Sequence, residues 1–109
     1  MNQHRLGEFE ILILAALIQL GDDAYGVSVR REIEERTGRS IAIGAVYTTL
    51  GRLESKGFVS SQIGEPTAER GGRAKRYFRI TPSGVQALRE SRSALQNLWN
   101  GLEEILEEP

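Results

Sequence analysis

Between Ala45 and Lys56 the apolar residues Val46, Leu50 and Leu53 recur at a spacing that places them on one buried face of a helix. Thr48, Thr49, Arg52 and Lys56 then face outward. Gly57 ends the helix. Two segments of strand composition follow, Phe58 to Ile63 and Ala74 to Ile80, joined by a loop that carries Gly64, Gly71 and Gly72. A helix with one apolar and one polar stripe, followed at once by a hairpin, leaves few folds open. The order predicts a winged helix, mainly α with a small β-hairpin.

Whole-chain charge hides the next clue. The 109 residues hold 14 Lys and Arg against 15 Asp and Glu, a formal net charge of −1. From Gln62 to Arg79, however, the bases Arg70, Arg73, Lys75, Arg76 and Arg79 face only Glu65 and Glu69, whereas from Ser91 onward Arg92 stands against Glu103, Glu104, Glu107 and Glu108. A basic patch and an acidic tail on one small chain point to a polyanion-binding face with a separate C-terminal task.

Composition excludes several classes of function. There is no cysteine, so disulfides and thiolate metal sites are out, in keeping with a reducing compartment. His4 is the one histidine, next to a terminus, which argues against a zinc site or a His-dependent triad. No paired acids, activated nucleophile or phosphate loop is present, because Gly71-Gly72 belongs to a hairpin and not to a strand-to-helix turn. An enzyme, a cofactor and a metal are therefore not expected. The apolar run Ile11 to Leu20 is too short to span a bilayer, and Glu8 and Glu10 precede it where a signal peptide carries bases. A cytoplasmic protein is expected.

Two helical segments precede the central motif, about Gly7 to Leu20 and Ala24 to Thr37, with Asp22 or Asp23 as cap of the second. The first is apolar at nearly every position, so it must be enclosed on all sides. The second is amphipathic, with Tyr25, Val29 and Ile33 on one stripe, and Gly38 suits a left-handed C-cap. Thr81 as N-cap and Pro82 at the first helical position begin a final helix. Along it, Leu88, Leu95 and Leu102 share one heptad position and Ser91, Leu98 and Ile105 the other, with Trp99 and Leu106 widening the seam. A chain of this size has a modest core, so this seam predicts a homodimer made through Leu95, Leu98, Trp99, Leu102, Ile105 and Leu106. The expected division is residues 1–81 as a winged helix-turn-helix and 82–109 as a dimerisation helix.

The polar face has the profile of a helix that enters a major groove. Arg52 can reach guanine or phosphate, Thr48 and Thr49 can meet bases or thymine methyls, and the Tyr47 hydroxyl can meet the backbone. Taken alone, the same helix reads first as a surface helix with a solvated face. A cationic hairpin carrying Gly72, Arg73, Lys75 and Arg76 tips the reading towards duplex DNA, where affinity comes largely from counterion release.

At these residues the chain resembles the PadR-like transcriptional regulators. The matching segments are Tyr25-Gly26, Gly44-Ala45-Val46-Tyr47, Leu50-Gly51-Arg52-Leu53-Glu54-Ser55-Lys56-Gly57, and Gly72-Arg73-Ala74-Lys75-Arg76-Tyr77-Phe78-Arg79-Ile80-Thr81-Pro82-Ser83-Gly84. Where this chain reads Ala45-Val46-Tyr47-Thr48, the family usually reads Thr-Leu-Tyr-Pro, a departure that bears on base preference and not on the fold. The resemblance implies a winged helix-turn-helix, a homodimer through a single C-terminal helix, and repression of a nearby promoter; two reading helices related by a dyad then call for a palindromic operator. Trp99 then has two readings, as interface packing or as the platform on which a small aromatic effector stacks. The competing function is a winged-helix module that binds another protein and whose basic wing is incidental.

Overall fold

The computed structural model describes residues 5–64 and 74–107. Helices α1 (Glu8–Leu20), α2 (Gly26–Thr37) and α3 (Ile43–Ser55) come first, then the antiparallel strands β1 (Val59–Ile63) and β2 (Arg76–Ile80), then α4 (Pro82–Trp99) and a short α5 (Glu103–Leu106). This is the predicted architecture, mainly helical with one hairpin.

Helix α1 is the centre of the molecule. Gly7 caps it, the Gly7 N–H donating to Glu10 Oε1 at 2.9 Å, and Glu8 and Glu10 place negative charge at its positive end. Ile13, Leu14, Ala16 and Leu17 are buried against Val29 and Ile33 of α2, Val46, Leu50 and Leu53 of α3, and Phe58, Val59, Phe78 and Ala87. The opposite side is not enclosed. Ile11 is only half-buried, Ala15 is exposed, and Ile18 is 52% exposed. These three residues, four and three apart, form an open apolar stripe along the helix.

Neither Asp22 nor Asp23 caps α2. A 3₁₀ turn occupies Gly21–Asp23, Tyr25 is the N-cap, and α2 starts at Gly26, two residues later than the apolar pattern suggests. The cause lies in the sheet. The Phe78 N–H donates to the Ala24 carbonyl at 2.8 Å and Tyr25 forms an isolated bridge to Tyr77, so residues 24 and 25 are held extended against β2. Ser28 takes over the capping: its Oγ accepts from the Tyr25 N–H at 2.9 Å and donates to the Asp23 carbonyl at 2.6 Å. At the other end Gly38 is left-handed, as expected, with φ 75°.

Helix α3 begins at Ile43, earlier than Ala45, with Ala42 as an extended N-cap. In the hairpin Val59 stands opposite Ile80 and Ser61 opposite Phe78, which turns Val59 and Phe78 into the core. Residues 65–73, which include Gly72 and Arg73, lie outside the described residues, as does His4.

Helix α4 starts as read from the sequence: Thr81 Oγ1 accepts from the Gly84 N–H at 3.1 Å and Pro82 occupies the first position. Its end differs. The expectation of one uninterrupted helix to Leu106 is overturned at Asn100-Gly101, where Gly101 adopts φ 91° and breaks the hydrogen-bond ladder before α5. The seam counted in heptads through Leu88, Leu95, Leu98, Leu102 and Ile105 is therefore split. From Arg92 onward every described residue is exposed.

Gly84 explains how closely α4 sits on the hairpin. A Cβ there would fall 2.3 Å from the Phe58 carbonyl oxygen and 2.7 Å from Ile80 Cγ1. The carbonyl belongs to the backbone, so it cannot swing aside. Gly84→Ala is expected to cost about 1–3 kcal/mol of stability by overpacking, measured by urea unfolding.

Candidate nucleic-acid interface

Four residues of α3 are buried, Val46, Thr49, Leu50 and Leu53, Ile43 packs partly buried against the core, and the rest of the helix is exposed. At 100° per residue the centre of the outward arc is the stripe Gly44, Thr48, Gly51 and Ser55, flanked by Tyr47 on one side and Arg52 on the other. A Cβ added to Gly44 or Gly51 would meet nothing within 4 Å. Neither glycine has a positive φ, so neither backbone conformation nor internal packing calls for it. Each costs the helix about 0.5–1 kcal/mol relative to alanine. The result is a face with almost no side-chain bulk, over which another body can come close to the helix backbone.

Of the α3 residues expected to read DNA, Tyr47, Thr48 and Arg52 are exposed, but Thr49 is not. It is only 5% exposed and lies with the core-facing stripe, so the expectation that it faces outward is corrected. The sequence stripe of Val46, Leu50 and Leu53 is narrower than the buried arc, which takes in the position beside Leu53 as well.

Lys56 also departs from expectation. It points back to α1, its Nζ lying 3.0 Å from Glu10 Oε2, and Glu10 is almost fully buried. Burial alone would push the Glu10 carboxyl up, but the Gly7 N–H, the Lys56 ammonium and the Arg52 charge outweigh it and hold it below the usual value. Glu10 was legible in the sequence as an acid inside an apolar run, but nothing in the pattern named its partner.

The hairpin joins α3 through polar contacts. Ser61 Oγ donates to Glu54 Oε2 at 2.7 Å and accepts from Arg76 Nη1 at 3.0 Å, which holds the Arg76 guanidinium beside the C-terminal half of α3. Lys75 Nζ lies 4.3 Å from the Tyr25 ring centroid, and Tyr25 and Tyr77 meet edge to face with centroids 5.6 Å apart. Arg79, part of the same basic stretch, is paired with Asp22 at 2.7 Å. Tyr47, Thr48 and Arg52 thus stand exposed on α3, Arg76 is tied to that helix through Ser61 and Glu54, and Lys75 lies over Tyr25, the residue before Gly26.

Of the expected interface residues, Leu95, Leu98, Leu102, Ile105 and Leu106 are exposed in the single chain, and Trp99 is 57% exposed. A groove of about 630 Å³ lies between the 21–23 turn and the hairpin, lined by Asp22, Asp23, Ser60, Gln62, Tyr77 and Arg79 among others. No α4 residue lines it, so it is separate from Trp99. Among the described residues no helix is long and apolar enough to cross a membrane.

Residues 13–90 match the family model for the transcriptional regulator PadR-like family. A transcriptional regulator of Mycobacterium tuberculosis is 36% identical over 77 residues, 71% of this chain and 67% of that protein. The crystal structure of a PadR family transcription regulator from hypervirulent Clostridium difficile superposes with a TM-score of 0.74, covering 93% of this chain and 100% of that one; at 24% identity it speaks for the fold alone. A PadR family transcriptional regulator from Eggerthella lenta is 27% identical, with a TM-score of 0.70, covering 93% of this chain and 83% of its own.

The Glu10–Lys56 pair makes stability depend on pH. Because the folded-state carboxyl titrates below the unfolded one, its contribution is complete above the ordinary carboxylate value of 4.5 and is lost as the pH falls through the lower, folded value. Glu10→Gln should cost about 1 kcal/mol at neutral pH. Its deficit against the parent should shrink in acid, measured by urea titrations across the carboxylate range.

Proposed function

Because the chain belongs to the PadR-like family of transcriptional regulators, whose members bind DNA, we propose that it is a homodimeric, sequence-specific repressor that places α3 in the major groove of a palindromic operator. The observation that carries this is the bare outward stripe of α3, Gly44, Thr48, Gly51 and Ser55, between Tyr47 and Arg52. Small side chains let a helix backbone approach base edges, Thr48 and Arg52 are of the types that read them, and Arg76 and Lys75 supply cations for the flanking phosphates. Repression follows if the operator overlaps a promoter, since a bound dimer then blocks polymerase.

Dimerisation is supported by two surfaces that one chain leaves open. The Ile11, Ala15 and Ile18 stripe of α1 is one, and Leu95, Leu98, Trp99, Leu102, Ile105 and Leu106 form the other. A partner's C-terminal segment laid on α1 would cover both, twice over, by symmetry. Trp99 would then stand between the subunits, as the group on which a planar aromatic effector stacks.

Gly51→Leu and Arg52→Ala separate approach from reading. Leucine at 51 meets open space within the chain, so stability should hold or rise, while binding to every duplex is lost. Arg52→Ala should cost about 1–3 kcal/mol and relax preference at one position in each half-site, with half-sites roughly 10 base pairs apart. Selection from random duplexes with the parent and both variants tests this; if the parent enriches no motif, the winged helix serves a protein partner instead.

Leu98→Asp together with Leu102→Asp should abolish the dimer and weaken DNA binding, read by sedimentation equilibrium at micromolar concentration. A parent chain that sediments as a stable, folded monomer would refute the dimer.

A further inference from the structure

Gly26 is the first residue of α2, and its backbone has no positive φ that would call for glycine. What excludes a side chain there is Tyr47. A Cβ on Gly26 would lie 2.2 Å from both Cζ and Oη of the tyrosine and 2.6 Å from Cε1, far inside contact distance. These are the three nearest atoms, and all belong to the free end of one ring. Alanine at 26 would therefore swing the phenol away and leave α2 and α3 in place. In this respect Gly26 differs from Gly84, where the obstacle is backbone.

Tyr47 itself is half-exposed and stands at the edge of the outward face of α3. The end of its ring, Oη included, packs against Gly26, and the hydroxyl makes no hydrogen bond among the described residues, so its hydrogen-bonding capacity is left for an external partner. The next residue back, Tyr25, carries the Lys75 ammonium over its ring. Two donors from different elements, the Tyr47 hydroxyl and the Lys75 ammonium, are thus seated on consecutive residues, Gly26 and Tyr25.

We propose that Gly26 is a positioning residue for DNA binding: by lacking a Cβ it seats the Tyr47 ring on the first turn of α2 and so fixes the hydroxyl for a backbone phosphate of duplex DNA. This rests on the DNA-binding reading given above. The gain comes from preorganisation, because a ring already fixed in its bound rotamer loses less freedom on binding. The contact is to phosphate, so it acts on all sequences alike.

The test is a double-mutant cycle of Gly26→Ala and Tyr47→Phe in the full chain, with fluorescence anisotropy of a mixed-sequence duplex at low salt and thermal unfolding as readouts. Each single variant should bind roughly fivefold more weakly, the value of one hydrogen bond. The double variant should bind no more weakly than Tyr47→Phe alone, since alanine acts only through the hydroxyl. Melting of Gly26→Ala should match or exceed the parent. The proposal is overturned if Gly26→Ala binds like the parent, if its loss persists in full in the Tyr47→Phe background, or if the loss follows a lowered melting temperature. Unchanged affinity in Tyr47→Phe also overturns it while leaving the DNA reading intact. A parent chain that shows no salt-dependent duplex binding removes that reading, and the proposal with it.

Discussion

The helices α2, α3 and α4 and strand β2 are all packed on α1, and one chain leaves part of that apolar helix open. Ile13, Leu14 and Leu17 are buried at the centre, and α2, α3, α4 and β2 are all placed by contact with that helix. A helix with apolar residues on every side has to be covered on every side. One chain supplies cover for half of it and leaves Ile11, Ala15 and Ile18 open. The same core that orients α3 therefore also leaves the apolar stripe on which the proposed second subunit would pack. In the proposed dimer, folding, assembly and the spacing of two reading helices share one origin.

The polar contacts divide the work differently. Glu10 and Lys56 tie the end of α3 to the start of α1, and the Glu54, Ser61 and Arg76 chain ties the same helix to the hairpin. Between these two anchors the outward face carries little but glycine and hydroxyl groups. Lys56 and Glu54 are thus occupied at its margins, while Arg52 stays exposed beside it. Lys56 is the clearest case. Its ammonium neutralises a nearly buried carboxylate, because leaving Glu10 unpaired in the core would cost more than a solvated lysine gains.

Much of this was legible in the sequence, for reasons that can be named. The Val46, Leu50 and Leu53 period located α3 because three large apolar residues leave a helix only one way to turn. Thr81 and Pro82 marked the start of α4 because capping is local chemistry, decided within four residues. The errors share the opposite cause. The start of α2 was misplaced because Ala24 and Tyr25 pair with β2 more than fifty positions away, a contact no local pattern records. Thr49 was assigned outward because periodicity reports the axis of the buried stripe and not its width. The break at Asn100-Gly101 was passed over because the heptad count on both sides was intact, although glycine with a positive φ ends a helix whatever the leucines on either side of it do.

Glycine is the residue whose meaning the sequence conceals most. Gly26, Gly51 and Gly84 all lie in helices at ordinary backbone angles and look alike on paper. In three dimensions they answer to different neighbours: Gly84 to a backbone carbonyl, Gly26 to the end of one tyrosine ring, and Gly51 to nothing inside the chain. The first is a requirement of folding. The second is a requirement on one side chain, which the fold does not need held still. The third has no internal cause, which agrees with the proposed approach of DNA to that face of α3. Read together, they mark a passage from the core outward, and the two that folding does not explain sit on the surface proposed to meet DNA.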